Sequence, residues 1–103
     1  MAESPLKIVE GSALTAQQKK DLLNRLARIE GQLRGVQKLI ALAAEPSDVD
    51  AVAQQMAAAR KALDRSFVQL LTSAIQTQSA DARDLEDARA RAAHLAAMLD
   101  KFA

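Results

Sequence analysis

The side chains that could do chemistry in this chain are basic. Arg25, Arg28 and Arg34 fall in one segment, Arg25-Leu-Ala-Arg28-Ile-Glu-Gly31-Gln32-Leu-Arg34-Gly35, and Arg60, Lys61 and Arg65 fall in a second. Guanidinium and ammonium groups in such clusters suit phosphate, because each phosphate neutralised releases counterions and adds affinity. The plainer reading is that these charges coat solvated helix faces. Gly31 and Gly35 add a second signal, since each costs roughly 1 kcal/mol relative to Ala inside a helix. Close approach of another helix is the usual offset, and it need carry no functional content.

Other chemistries lack their residues. The sequence has no cysteine and one histidine, His94. Thiolate metal sites, disulfides and Cys nucleophiles are therefore absent, and a lone imidazole cannot complete a metal site. His94 reads as a surface or packing residue. No Ser-His-Asp set, phosphate-cradling glycine loop or paired carboxylates emerges, so no enzyme is expected. The carboxylates are accounted for by helix capping and by spacing near Lys or Arg.

The 103-residue chain carries a formal net charge of +1, so only the distribution of charge can point to nucleic acid. Half of its residues are apolar, with two Phe and no Trp or Tyr. Many are alanine, which buries little area, so a lone monomer would have a thin core and an oligomer is expected. No signal peptide and no apolar run near the ~20 residues of a membrane span is present, which points to a cytoplasmic protein with no membrane partner.

The elements that must position the basic residues read as helices. Residues 1–14 carry Pro5 and Gly11 without periodicity and read as a flexible N-terminal arm, partly docked through Ile8 and Val9. Residues 15–103 form the helical domain. Thr15 and Gln18 make a capping-box pattern. Leu22, Leu26, Ile29, Leu33, Val36 and Ile40 then form a heptad seam running to about Ala43.

Glu45-Pro46-Ser47 stops that helix. Ser47 with Asp50 is the expected cap of a second helix, with Asp48 and Asp50 suiting its positive end. Val49, Val52, Met56, Ala59, Leu63, Phe67, Leu70 and Ala74 make its stripe, and Val68, Leu71 and Ile75 a neighbouring row. This helix should be central and covered on two sides. Both long helices should span about 40 Å and pack antiparallel. A break at Ser79-Ala-Asp81 starts a third helix, with a seam of Leu85, Ala88, Ala92, Leu95, Leu99 and Phe102. The fold class is all-α: a long antiparallel hairpin plus a shorter third helix.

The excess positive charge belongs to the hairpin, because the third helix balances its charges. In an antiparallel pair the centre of helix one lies opposite the centre of helix two. Arg28 and Arg34 could then share a surface with Arg60, Lys61 or Arg65.

Those residues also carry a resemblance. Leu-Asn-Arg25-Leu-Ala-Arg28-Ile-Glu30-Gly31-Gln32-Leu-Arg34-Gly35-Val, followed by Gln55-Met-Ala57-Ala58-Ala-Arg60-Lys-Ala62-Leu63-Asp64-Arg65, resembles the CsoR/RcnR/FrmR family of bacterial repressors from about Gln18 to the third helix. The resemblance implies a three-helix protomer, a four-helix dimer core and a dimer-of-dimers tetramer. It also implies operator DNA bound through basic residues on the first two helices. Carried over, that face includes Arg28 and Arg65, with Arg25, Arg34, Arg60 and Lys61 as companions.

Copper-sensing members of that family place a Cys near the start of helix two, and a His and a Cys one turn apart near its end. The matching positions here hold Val49, Ala74 and Gln78. None can act as a thiolate, thioether or imidazole donor for Cu(I). Val49 and Ala74 should instead fill the place with apolar core. Persulfide and formaldehyde sensing also need a Cys, and Met1-Ala2-Glu3 supplies no His for a nickel-type site. His94 would lie near the old site, alone.

No cofactor and no metal is therefore expected. Three readings stay open: a repressor of operator DNA that has lost metal and thiol sensing, a repressor answering a small-molecule effector among Val49, Met56, Leu70 and Ala74, or a helical interaction module that no longer binds DNA.

Overall fold

A computed structural model describes residues 6–9 and 13–103. The described residues form three helices and no strand: α1 (Ala16–Leu42), α2 (Pro46–Ala80) and α3 (Leu85–Phe102). None is long and apolar enough to cross a membrane. The chain divides into two compact units, Asp21–Gln69, and Met1–Lys20 with Leu70–Ala103. Of the expected arm, residues 1–5 and 10–12 lie outside the described residues. Its described parts, 6–9 and 13–14, have no regular structure, with Ile8 half-buried and Val9 exposed.

The unit Asp21–Gln69 is a helical hairpin. Ala43-Ala44-Glu45 is the whole connection, too short for anything but an antiparallel turn-back. α1 buries Leu22, Ile29 and Val36, and α2 buries Ala59 and Ser66, each set stepping by seven residues. Burying an aliphatic side chain of this size contributes about 1.5–3 kcal/mol. The facing residues of α2 are small, so the helices can approach closely. Ser66 satisfies its hydroxyl by donating to the Ala62 carbonyl at 3.1 Å.

The start of α2 differs from expectation. Pro46 is its first residue, not Ser47 or a later one, and the Ser47–Asp50 cap does not form. Asp48 caps instead, accepting from the backbone N–H of Ala44 at 2.9 Å and Glu45 at 3.0 Å. Proline suits the first helical position because its missing N–H would have no partner there. The two N–H donors hold the Asp48 carboxyl below its ordinary value.

The unit of both chain ends contains the other capping sites. Thr15 and Gln18 form the expected capping box: Thr15 N donates to Gln18 Oε1 at 2.8 Å, and Gln18 N donates to Thr15 Oγ1 at 3.1 Å. Gln18 Oε1 also accepts from the buried Thr77 hydroxyl at 2.7 Å, which ties the start of α1 to the end of α2.

The second break begins at Asp81, within the expected Ser79-Ala-Asp81, but α3 starts later, at Leu85. α2 runs on to Ala80, because no Pro or Gly stops it there, and is 35 residues or about 52 Å long. Asp84, with φ −158° and ψ −177°, is the N-cap of α3 and accepts from Asp87 N at 2.8 Å. Asp87 in turn accepts from Arg83 N and Arg91 Nε, both at 3.0 Å, and Arg91 reaches the Gln78 carbonyl at 3.3 Å. The Arg83 N–H, helped by the Arg91 guanidinium, keeps the Asp87 carboxyl below its ordinary value.

The core is thin, as the alanine content implies. Its buried apolar residues are Leu22, Ile29, Val36, Ala59, Ala74 and Leu95, and no large described side chain is fully enclosed. α2 is not covered on two sides: Val49, Met56, Leu63 and Val68 are all half or more exposed. One chain simply supplies too few helices to cover the stripes that its sequence carries.

Gln18→Ala should cost more than a helix cap alone, because it also leaves the buried Thr77 hydroxyl without its acceptor. We expect a loss of about 2 kcal/mol in urea denaturation, against about 1 kcal/mol for Thr15→Ala.

Candidate nucleic-acid interface

α1 and α2 bring Arg25, Arg28 and Arg65 to one side of the hairpin. Arg25, Arg28 and Gln32 recur on α1 in steps of three and four, and so share a face of it. Arg65 comes from the facing helix, α2. The three arginines and Gln32 line an open cleft of ≈ 270 Å³ whose floor is Ile29, Ala62 and Ser66. Ile29 and Ser66 are buried residues of the hairpin seam, so the cleft lies directly over the line where the helices meet.

The lining of the cleft is basic and carries no carboxylate. The ion pairs of the described chain, Arg83–Asp87 at 3.6 Å and Arg91–Asp87 at 3.0 Å, belong to the start of α3. Neither pair involves Arg28 or Arg65, and Asp21 stands one turn before Arg25 on α1.

The remaining basic candidates divide. Lys61 is one turn before Arg65 and shares its side of α2. Arg60 is turned by about 100° from Lys61, around toward the opposite side. Arg34 is not brought to the cleft; it lines a separate hollow on α1 with Glu30, Leu33, Val36 and Gln37. Sequence spacing pooled all of these because helical phase was not resolved to a side chain.

The opposite side of the same hairpin is apolar. Leu26, Leu33 and Ile40 on α1, and Val49, Met56 and Leu63 on α2, recur every seven residues and are 39–60% exposed. On each helix they lie across the buried seam from the cleft residues. The hairpin therefore has a cationic side and an apolar side, divided by one buried line.

Gly31 and Gly35 do not make the close helix approach within the chain. A Cβ placed on either would meet nothing within 4 Å, and neither has a positive φ. They lie three and seven residues after Arg28, on its side of α1. The close approach is made by Ala59 and Ser66 on α2 instead. Gln69, one turn beyond Arg65, has a buried Oε1 with no donor; no sequence signal marked it.

A family model described as metal-sensitive transcriptional repressor matches residues 18–101. The chain belongs to this family. No curated protein and no solved structure matches the chain. The match spans all three helices, including every residue of the cleft and of the apolar rows.

Metal sensitivity is the family's description, and the donors here can be tested against it. Val49 and Gln78 are without imidazole, thiolate or thioether, and so is Ala74. Val49 is 60% exposed and fills no core, contrary to expectation, whereas Ala74 is buried and Gln78 half-buried. His94 is exposed. Among the described residues, no group of three His, Cys, Asp or Glu side chains could hold a metal ion. These residues do not fit a soft metal.

Because open space surrounds Gly35, Gly35→Ala should stabilise the free protein by up to about 1 kcal/mol, as measured by chemical denaturation. A loss of stability would instead reveal a surface packed against that bare backbone.

Proposed function

We propose that this protein is a DNA-binding transcriptional repressor that meets its operator with the Arg25–Arg28–Arg65 side of the hairpin and works without metal or thiol sensing. The observation that carries the reading is that three arginines from two helices line one cleft that holds no carboxylate. Guanidiniums are planar forks suited to phosphate oxygens. Lys61 extends the same side, and bare backbone at Gly31 and Gly35 lets a bulky phosphodiester strand lie close to α1. Arg34 and Arg60 have lesser parts, through longer-range charge.

The apolar side fits a second copy of the chain. Two such hairpins, joined through Leu26, Leu33, Ile40, Val49, Met56 and Leu63, would bury the rows that one chain leaves exposed and form a four-helix core. Pairing in this way leaves both cationic sides outward, which doubles the charge offered to a duplex. A dimer of such dimers would extend the same surface in a cytoplasmic homotetramer.

Loss of sensing follows from the donor set. A regulatory metal acts only through a difference in its affinity for two states. With no thiolate, and no imidazole or thioether at the matching positions, Cu(I) has no such difference to exploit.

Fluorescence anisotropy with a duplex from the protein's own promoter region, across a salt series, tests the reading. We expect salt-sensitive binding that Cu(I) and chelators leave unchanged. Arg65→Ala should weaken binding and reduce the slope of log K against log salt by about 1, with a smaller effect from Arg34→Ala. Absence of binding even to nonspecific duplex at low salt would move the protein to the class of helical interaction modules. A copper-induced fall in affinity would contradict the sensing part alone.

The apolar side has its own test. Leu33→Asp, at a position exposed in the single chain, should shift the protein to a smaller species in sedimentation. An unchanged oligomer would mean that the copies meet elsewhere.

A further inference from the structure

We propose that the Arg25–Arg28–Arg65 cleft is also a binding site for a compact polyphosphate of small-molecule size, and that its occupancy excludes duplex. The exclusion rests on the DNA reading above; the anion site does not.

The shape of the site points beyond a duplex strand. Three arginine side chains line a single cleft. Each carries five N–H donors in a fixed plane. A phosphodiester offers only its unesterified pair of oxygens, so one strand phosphate leaves most of these donors unused. The strand is also held back from a concave site by the sugars on either side. A free triphosphate has more acceptor oxygens, more charge and an unhindered end.

The volume and lining narrow the ligand further. At ≈ 270 Å³ the cleft falls just below the roughly 300–1,000 Å³ of ordinary small-molecule sites. It suits a short run of phosphates rather than a whole nucleotide. Its floor provides no donor, because the Ser66 proton is already given to the Ala62 carbonyl. Ile29 and Ala62 make the rest of the floor apolar. Recognition therefore falls to guanidinium forks and the Gln32 amide, a set that selects acceptor-rich anions. With no aromatic or apolar wall for a base, inorganic triphosphate and a nucleoside triphosphate should bind alike.

The test is a titration of the ¹⁵N-labelled full chain with inorganic triphosphate at constant ionic strength, following the arginine Nε–H signals. Saturable shifts at Arg28 and Arg65, absent at Arg89 of α3, are expected. Arg65→Lys should weaken binding at least tenfold although the charge is kept, and Arg89→Ala should not. Unsaturated shifts spread equally over Arg83, Arg89 and the cleft arginines would overturn the site. A much tighter fit for ATP than for inorganic triphosphate would overturn the assigned ligand class.

A second arm adds fluorescent duplex. Displacement by triphosphate beyond that caused by sodium chloride of equal ionic strength supports exclusion, and saturable triphosphate binding without displacement refutes it. Saturable triphosphate binding by a protein that binds no duplex would support the anion site and remove the DNA reading, so the two fail separately.

Discussion

The contact of α1 with α2 over small side chains is the constraint on which the rest of the molecule depends. Leu22, Ile29 and Val36 form one narrow buried row, and Ala59 and Ser66 another. A seam of that width hides only one stripe of each helix. Everything beside it stays exposed, so the residues flanking the seam determine what each side of the hairpin meets. Had Ala59 and Ser66 been large, the helices would stand further apart and the floor beneath the arginines would be lost.

The flanks are chemically opposed. One side carries Arg25, Arg28 and Arg65 over Ile29 and Ser66; the other carries leucine, isoleucine, valine and methionine in heptad rows. Such a hairpin satisfies neither side alone. The cationic side has a cleft without a carboxylate, and the apolar side has area without cover. This incompleteness is the physical basis for reading the protein as a part of something larger, with phosphate on one side and its own copy on the other.

Capping and helix junctions here use only protein groups: the Gln18–Thr77 bond at one junction, and Arg91 between Asp87 and the Gln78 carbonyl at another. Hydrogen bonds of Arg91 thus hold the junction of α2 with α3.

By itself the sequence determined the helices, the heptad seams, the Thr15–Gln18 cap, the stop at Pro46 and the family, because each is written in residues close together along the chain. Local hydrogen-bond competition blurred two ends: Asp48 outdid Ser47 and Asp50 as the cap of α2, and Asp84 outdid Ser79-Ala-Asp81 as the start of α3. Tertiary structure alone decided which basic residues meet. Arg28 and Arg65 join across the seam while Arg34 turns away, because helical phase and antiparallel register, not proximity in sequence, set which side of the hairpin a residue occupies. It also decided the glycines: spacing suggested a helix against Gly31 and Gly35, but the small residues of α2 already supply the close approach, so the bare backbone faces open space.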